Sequence, residues 1–249
     1  MKKAPHVCPS CVEKKAKYLE HEDICNSILK EAIKTVGVDE VCANLVGSMA
    51  MKKFDPSIIL SRVKKVVDND YVVATPDRHV FKLILKEVVY IMKRMGLMFE
   101  LMDDDLNYSR VIGPKNMEIY NFKIDGFSSI LSLIWYPEMC TCEEILNRFD
   151  INVCKIGYNV MTRELIAEQS VLNAILRREA TVDRQFHFFG TFPTAAENRQ
   201  LAATLGRMEK YSERGFTFSR PPKISFGMEE WHLEKVQDAA QGVAKRMKN

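Results

Sequence analysis

The sequence predicts an α+β fold: a mixed β-sheet flanked by helices, with a helical C-terminal region and a small N-terminal unit. Three observations carry this expectation. Strand-like segments concentrate in the middle of the chain, between about residues 71 and 158. Segments with apolar residues at helical spacing lie before, within and after them. No stretch approaches the roughly 20 apolar residues that a membrane-spanning helix needs.

The elements follow in order. Ile24, Ile28, Leu29 and Ile33 recur at helical spacing and predict a helix from Glu20 to Thr35, ended by Gly37. Val41–Val46 suits a buried strand or a helix end before Gly47-Ser48. Asp55-Pro56-Ser57 predicts a helix start, with Ile58, Ile59, Val63, Val66 and Val67 on one side. Tyr71–Ala74 reads as a strand broken by Thr75-Pro76-Asp77, and a helix runs from His79 to Met95 and stops at Gly96. Strands are expected at Leu97–Met102, Arg110–Ile112, Met117–Phe122 and Phe127–Tyr136. A short helix at Cys142–Arg148 leads into a strand at Ile151–Tyr158. Beyond it the chain turns helical at Val171–Arg178 and Ala195–Tyr211, with Gly215 placed for a left-handed C-cap. Pro221-Pro222 separates a last amphipathic helix, Glu229–Met247. The implied organisation is an N-terminal unit over 1–36, a core over 37–160 and a mainly helical region over 161–249.

The 249 residues are 47% hydrophobic, enough for a substantial core. The basic N-terminus has no apolar h-region, which predicts a protein of the cytoplasm, or of the nucleus if it enters passively, with no membrane partner. Seven cysteines, an odd number, argue for reduced thiols or metal ligands over a disulfide scaffold. A net charge of +3 does not imply nucleic-acid binding, but its distribution is uneven. Between Arg199 and Lys223 there are six basic residues against two acidic ones. Arg207, Lys210 and Arg214 fall three and four apart, on one helical face, and are the candidates for contact with nucleotide or single-stranded RNA phosphates.

Cys8, Cys11, His21 and Cys25 carry the spacing C-x2-C-x9-H-x3-C, which suits a closed, structural zinc site. Gly47-Ser48, placed at a helix start, offers backbone N–H groups to a triphosphate. Asp77 and Asp150 are candidate ligands for a divalent cation, although Asp77 also fits an ordinary helix N-cap.

Four motifs in this order resemble the nucleotidyltransferase-fold proteins of the polymerase-β type. They are Val46-Gly47-Ser48-Met49, Pro76-Asp77-Arg78-His79, Phe149-Asp150-Ile151-Asn152 and Arg207-Met208-Glu209-Lys210-Tyr211-Ser212-Glu213-Arg214-Gly215-Phe216. The likeness is to a divergent branch found in phages, large viruses and some eukaryotic microbes. It implies a nucleotidyltransferase-like sheet, with Gly47 and Ser48 holding the triphosphate and Asp77, His79 and Asp150 forming the catalytic group. Mg²⁺ or Mn²⁺ is the implied cation, held by Asp77 and Asp150. His79 stands where the resemblance expects a second Asp, and imidazole is a poor Mg²⁺ ligand. The motif thus reads as a degenerate Asp-x-His, favouring Mn²⁺ if catalysis persists. Asp103 and Asp105 offer an alternative carboxylate pair. Two functions follow: transfer of a nucleotide to RNA or a small acceptor, or RNA binding by a non-catalytic viral accessory protein that keeps the fold.

Overall fold

A computed structural model describes residues 9–38, 41–58, 67–102, 117–137, 141–188, 195–219 and 222–226. The first helix, α1 (Pro9–Val36), is ended by Gly37 at φ +69°. There follow β1 (Cys42–Val46), α2 (Gly47–Phe54), β2 (Val67–Ala74) and α3 (Arg78–Arg94). Three further strands, β3 (Phe99–Met102), β4 (Glu118–Ile124) and β5 (Ser129–Trp135), lead to α4 (Cys142–Asn147). Then come β6 (Gly157–Asn159), β7 (Leu165–Ile166), α5 (Gln169–Arg177), β8 (Glu179–Ala180) and β9 (Gln185–Phe188). Last among the described elements are α6 (Ala195–Glu213), β10 (Thr217–Phe218) and β11 (Lys223–Phe226).

Seven strands form one mixed sheet in the order β3-β4-β5-β2-β1-β6-β7. Among the described residues, only β2 and β5 pair in parallel within it. The expected mixed sheet flanked by helices is therefore present. Two small parallel pairs, β8–β10 and β9–β11, tie residues 217–226 back to the segment after α5.

Successive strand residues point to opposite faces, and here the two faces have different fates. On one, Ala43, Leu45, Tyr71, Val73, Leu131 and Leu133 pack with Phe81, Ile84, Val88 and Ile91 of α3 and with Cys25, Ile28, Leu29 and Ala32 of α1. The second half of α1 thus belongs to the main core. On the other face, α4 packs on Val46, Val72 and Ala74 through Cys142, Ile145 and Leu146, with Cys42, Ile134 and Ile166 beside them. A third cluster joins α2, α5 and α6 through Met51, Val153, Ile175, Met208 and Tyr211. Around Asp68, Asp70, Asn121 and Ser132 that face borders a cavity shared with Arg207, Lys210 and Tyr211 of α6. No helix among the described residues is long and apolar enough to cross a membrane.

Local chemistry explains the element ends. Thr141 and Glu144 form a reciprocal capping box at the start of α4. Gly215, at φ +91°, turns the chain after α6 as its position predicts.

Two expectations are corrected. β2 begins at Val67, four residues before the apolar run Tyr71–Ala74. The expected strand Ile151–Tyr158 is a 3-10 turn at Asn152–Cys154 followed by the short β6. There the Asn152 side chain accepts from the N–H groups of Val153 and Thr181, at 2.8 Å each, favouring a turn over a continuous ladder. The expected strand 110–112 and the final helix 229–247 lie outside the described residues.

Candidate functional site

The early start of β2 brings Asp68, Asn69 and Asp70 into the sheet. Asn69 faces the main core, where its Nδ2 donates to Ser129 Oγ at 3.0 Å. Asp68 and Asp70 therefore share the opposite, open face. Register extends the row: Asp70 lies beside Val46 on one side and Ser132 on the other, and Ser132 lies beside Asn121. Val46 leads directly into α2. Gly47 takes φ +66°, a conformation that favours glycine, and a side chain there would stand 3.8 Å from Asp70 Oδ2. The turn thus places the N-terminus of α2, with its free backbone N–H groups, next to the carboxylates.

A cavity of about 840 Å³ opens over this face. Its floor carries Asp68, Asp70, Ser132 and Asn121 among Ile119, Ile130 and Ile134. Gly47 and Ser48 form one rim. Arg148, Asp150, Arg184, Arg207 and Lys210 form a largely cationic wall.

Electrostatics mark the pair. Burial, with Asp68's charge adding to it, pushes Asp70 up to about 6; Lys210, Arg214 and a hydrogen bond from Ser132 oppose the rise. Burial raises Asp68 as well, against the same two cations. Part of Asp70 opens on the cavity, but protein surrounds the rest, which is why desolvation dominates. Carboxylates held at a desolvation cost beside a like charge suit a divalent cation. Among the described residues no group of three or more His, Cys, Asp or Glu is arranged to hold a metal ion. Two carboxylates nevertheless fit Mg²⁺, which is commonly held by one or two carboxylates together with water and substrate phosphates.

The raised Asp70 sets a pH dependence. Its folded-state value lies above the unfolded value of about 3.9, so the ionised group destabilises the metal-free fold. That penalty is fully present above the folded value of about 6 and disappears as pH falls toward the unfolded one. We expect Asp70→Asn to stabilise metal-free protein by on the order of 2 kcal/mol at pH 7.5, and by much less at pH 4.5. Paired thermal melts at the two pH values check this. An equal difference at both would contradict it.

The sequence-derived candidates divide. Gly47, Ser48, Asp150, Arg207 and Lys210 line the cavity. Asp150 is buried and accepts from Thr204 Oγ1 at 2.5 Å and from Arg207 Nε and Nη2, the latter at 2.5 Å. The carboxylate read as a metal ligand is thus engaged by a guanidinium and a hydroxyl. Arg214 does not line the cavity. It is buried, with its guanidinium 5.1 Å from the centre of the Tyr211 ring.

Asp77 and His79 are absent from the cavity. Asp77 caps α3, its Oδ1 accepting from the backbone N–H of His79 at 2.7 Å, and both residues are exposed. They follow the far end of β2, past Val72 and Ala74. The Mn²⁺ preference argued from His79 loses its geometric basis. We expect Asp77→Ala to cost about 1 kcal/mol and to leave nucleotide binding unchanged. A thermal melt and a binding titration on the same sample test both halves. Asp103 and Asp105 lie outside the described residues.

For the zinc set, Cys8 lies outside the described residues, as does the side chain of Cys11. The other two members are engaged in packing. His21 stacks on Phe127 with ring centroids 4.1 Å apart, and its Nδ1 lies 3.3 Å from the backbone N of Ser128. Cys25 is buried in the main core, and burial pushes its thiol up to about 12, against the thiolate that zinc requires. Zinc therefore finds no support among the described residues.

Sequence reasoning missed Asp68 and Asp70. The signal was present: an Asp-x-Asp directly before an apolar run, with the strand period that puts both acids on one face.

No protein-family model matches the chain, and no curated protein matches it. Among solved structures it is similar to a Thermotoga maritima CCA-adding enzyme complexed with tRNA, at 11% identity and a TM-score of 0.49, over 97% of this chain and 45% of that one. It is also similar to a tRNA-processing enzyme, at 16% identity and a TM-score of 0.48, over 80% and 44%. A Bacillus stearothermophilus CCA-adding enzyme in complex with CTP matches at 15% identity and a TM-score of 0.44, over 77% and 39%. The chain spans less than half the length of each. A link to the phage and viral branch finds no support there. At these identities and scores, the functional reading rests on the cavity alone.

Proposed function

We propose that this chain is a metal-dependent nucleotidyltransferase acting on a nucleoside triphosphate, with RNA or a small hydroxyl-bearing molecule as acceptor. One observation carries the reading: Asp68 and Asp70, paired on one face of β2, adjoin the Gly47-Ser48 turn at the N-terminus of α2. Carboxylates for a cation and N–H groups for an anion thus meet in one cavity, which is the requirement of a metal–triphosphate complex. Asp68 and Asp70 would hold Mg²⁺ or Mn²⁺. Such an ion, when bound, supplies charge neutralisation and polarisation at the transferred phosphoryl group.

The chain's own residues do the remaining work. The α2 N-terminus and Ser48 bind terminal phosphate oxygens. Lys210 adds a mobile positive charge, and Arg148 and Arg184 extend the cationic wall. Ile119, Ile130 and Ile134 beside Asp70 lower the polarity of that part of the floor, which would strengthen the charge interactions there. His79, whose identity argued for a fold without catalysis, lies outside the cavity and no longer supports a binding-only protein.

The test is incorporation of labelled nucleotide from each of the four triphosphates, with Mg²⁺ or Mn²⁺, into RNA and into small acceptors. Metal-dependent incorporation supports the proposal. Metal-independent triphosphate binding without incorporation would favour the binding-only alternative.

A further inference from the structure

We propose that the β4 side of the cavity is the acceptor subsite, and that Asn121 there selects the acceptor, a nucleoside bearing the attacking hydroxyl. The proposal rests on the nucleotide reading of the cavity and names the acceptor chemistry which that reading leaves open.

Register lays the cavity floor out as one row across five strands. Met102 of β3 pairs with Asn121 of β4, Asn121 with Ser132 of β5, Ser132 with Asp70 of β2, and Asp70 with Val46 of β1. All five residues border the cavity. With strands about 4.8 Å apart, the row spans about 19 Å and Asn121 stands about 10 Å from Asp70. Val46 leads into the N-terminus of α2, so the row has a phosphate end, then the carboxylates, then a far end. The far end differs in chemistry. Its lining is Met102, Met117, Ile119 and Ile130, with Asn121 among them. Asn121 is half-buried, and its side-chain amide has no hydrogen-bond partner among the described residues.

In phosphoryl transfer the attacking and leaving oxygens lie roughly in line through phosphorus. With the terminal phosphates at the α2 N-terminus and the α-phosphorus over Asp68 and Asp70, the leaving oxygen points toward β1. The attacking hydroxyl therefore enters from β5 and β4, above Ser132 and Asn121. Its oxygen forms the new bond to the α-phosphorus while the bond from that phosphorus to the bridging oxygen breaks. Pyrophosphate departs, and the hydroxyl proton goes to solvent. The body of the acceptor then rests on the far end of the row. Isoleucine and methionine side chains suit the face of a flat ring, and a thioether sulfur adds favourable contact with an aromatic one. The single amide among them offers a donor and an acceptor side by side, which the edge of a nucleobase matches. A nucleoside supplies the ring, the polar edge and the hydroxyl together. It can arrive free or as the 3′ end of an RNA, with the same chemistry at Asn121.

The experiment measures transfer of labelled nucleotide by the full chain with Mg²⁺, from whichever of the four triphosphates wild type binds most tightly in isothermal titration. The acceptor probes are the four ribonucleosides, D-ribose, and single-stranded hexa-adenylate RNA with a free 3′ hydroxyl. The proteins are wild type, Asn121→Leu and Asn121→Ala, each with a thermal melt. Asn121→Leu keeps the bulk of the side chain and removes both polar atoms. Either variant should raise KM for the ribonucleosides or the RNA about tenfold, the loss expected for one to two hydrogen bonds. The triphosphate Kd and the melt should not change. Wild type alone gives an independent result, which stands even if neither variant folds. D-ribose has the hydroxyls without the base, so it should be used at least about tenfold less efficiently than a ribonucleoside. Transfer to free ribonucleosides or to the RNA tells which source the subsite serves, and either supports the proposal. An unchanged acceptor KM in the variants overturns it. So does a raised triphosphate Kd in its place, which would assign the far end to the base of the donor nucleotide. Equal use of D-ribose, or triphosphate binding with transfer to no probe, also overturns it. Wild type that binds none of the four triphosphates overturns the nucleotide reading itself, a result distinct from the others.

Discussion

Replacing Asp68 and Asp70 together with Asn should abolish divalent-cation-dependent nucleotide transfer, by at least about a thousandfold, while making the metal-free protein more stable. The functional half follows from chemistry: the neutral amides cannot hold a hard cation against water, and a metal's contribution to phosphoryl transfer is several kcal/mol. The stability half follows from burial. Both carboxyls are raised by desolvation, and Asp70 is raised further by Asp68, so their ionised forms strain the fold at neutral pH. Activity and stability should therefore move in opposite directions, a pattern that a merely damaged protein does not give. Incorporation assays beside thermal melts at pH 7.5 measure both. Retained transfer in the double variant would remove the pair from the site, and a large fall in melting temperature would mark it as scaffold.

The second large effect concerns Asp150 and Arg207. Asp150 → Ala should destabilise the protein by about 3 kcal/mol, because it strands a guanidinium that is three-quarters buried. For a chain of this size that corresponds to a fall in melting temperature of roughly 6–12 °C. Arg207→Gln should also lower it, by less, because an amide can still donate to the buried carboxylate. Lys210→Gln should behave differently. Lys210 is exposed on the same helix and lines the cavity, so its loss should leave the melt nearly unchanged. It should weaken binding of triphosphate or single-stranded RNA and flatten the salt dependence by roughly 0.7 per lost phosphate contact. On this expectation, two basic residues three apart on one helix would separate into a clamp and a ligand contact. If Arg207→Gln melts like wild type, the clamp assignment fails.

Much of the chain was legible without coordinates. Ile24, Ile28, Leu29 and Ile33 locate the buried face of α1, and all but Ile24 are buried. The apolar spacing from His79 to Met95 and the stop at Gly96 describe α3 to within a residue at each end. Gly47-Ser48, Asp150, Arg207 and Lys210 were read from motif order, and all border one cavity. Asp68 and Asp70 escape a reading of the sequence because they precede the apolar run of β2 and so resemble a polar helix end. A strand whose outer face lines an open cavity loses the apolar alternation that normally reveals it. Asp77, by contrast, stands before a strong helix, where an N-cap and a ligand look alike.

What the sequence determined by itself is local: periodicity sets which segments are helix or strand, a positive φ calls for glycine at positions 37, 47 and 215, and Thr141 with Glu144 closes the start of α4. These follow from interactions spanning a few residues. Only the tertiary structure decided which acids share a site. The order β3-β4-β5-β2-β1-β6-β7 sets β2 between β1 and β5, strands respectively earlier and much later in the chain. It thereby puts Asp70 beside the Gly47 turn on one side and Ser132 on the other, and α6 returns to hang Lys210 and Tyr211 over them. No local pattern encodes that meeting, because the apolar surface of the sheet is buried elsewhere and this polar face is completed by Gly47 from an earlier strand end and by Ser132 and Lys210 from much later in the chain.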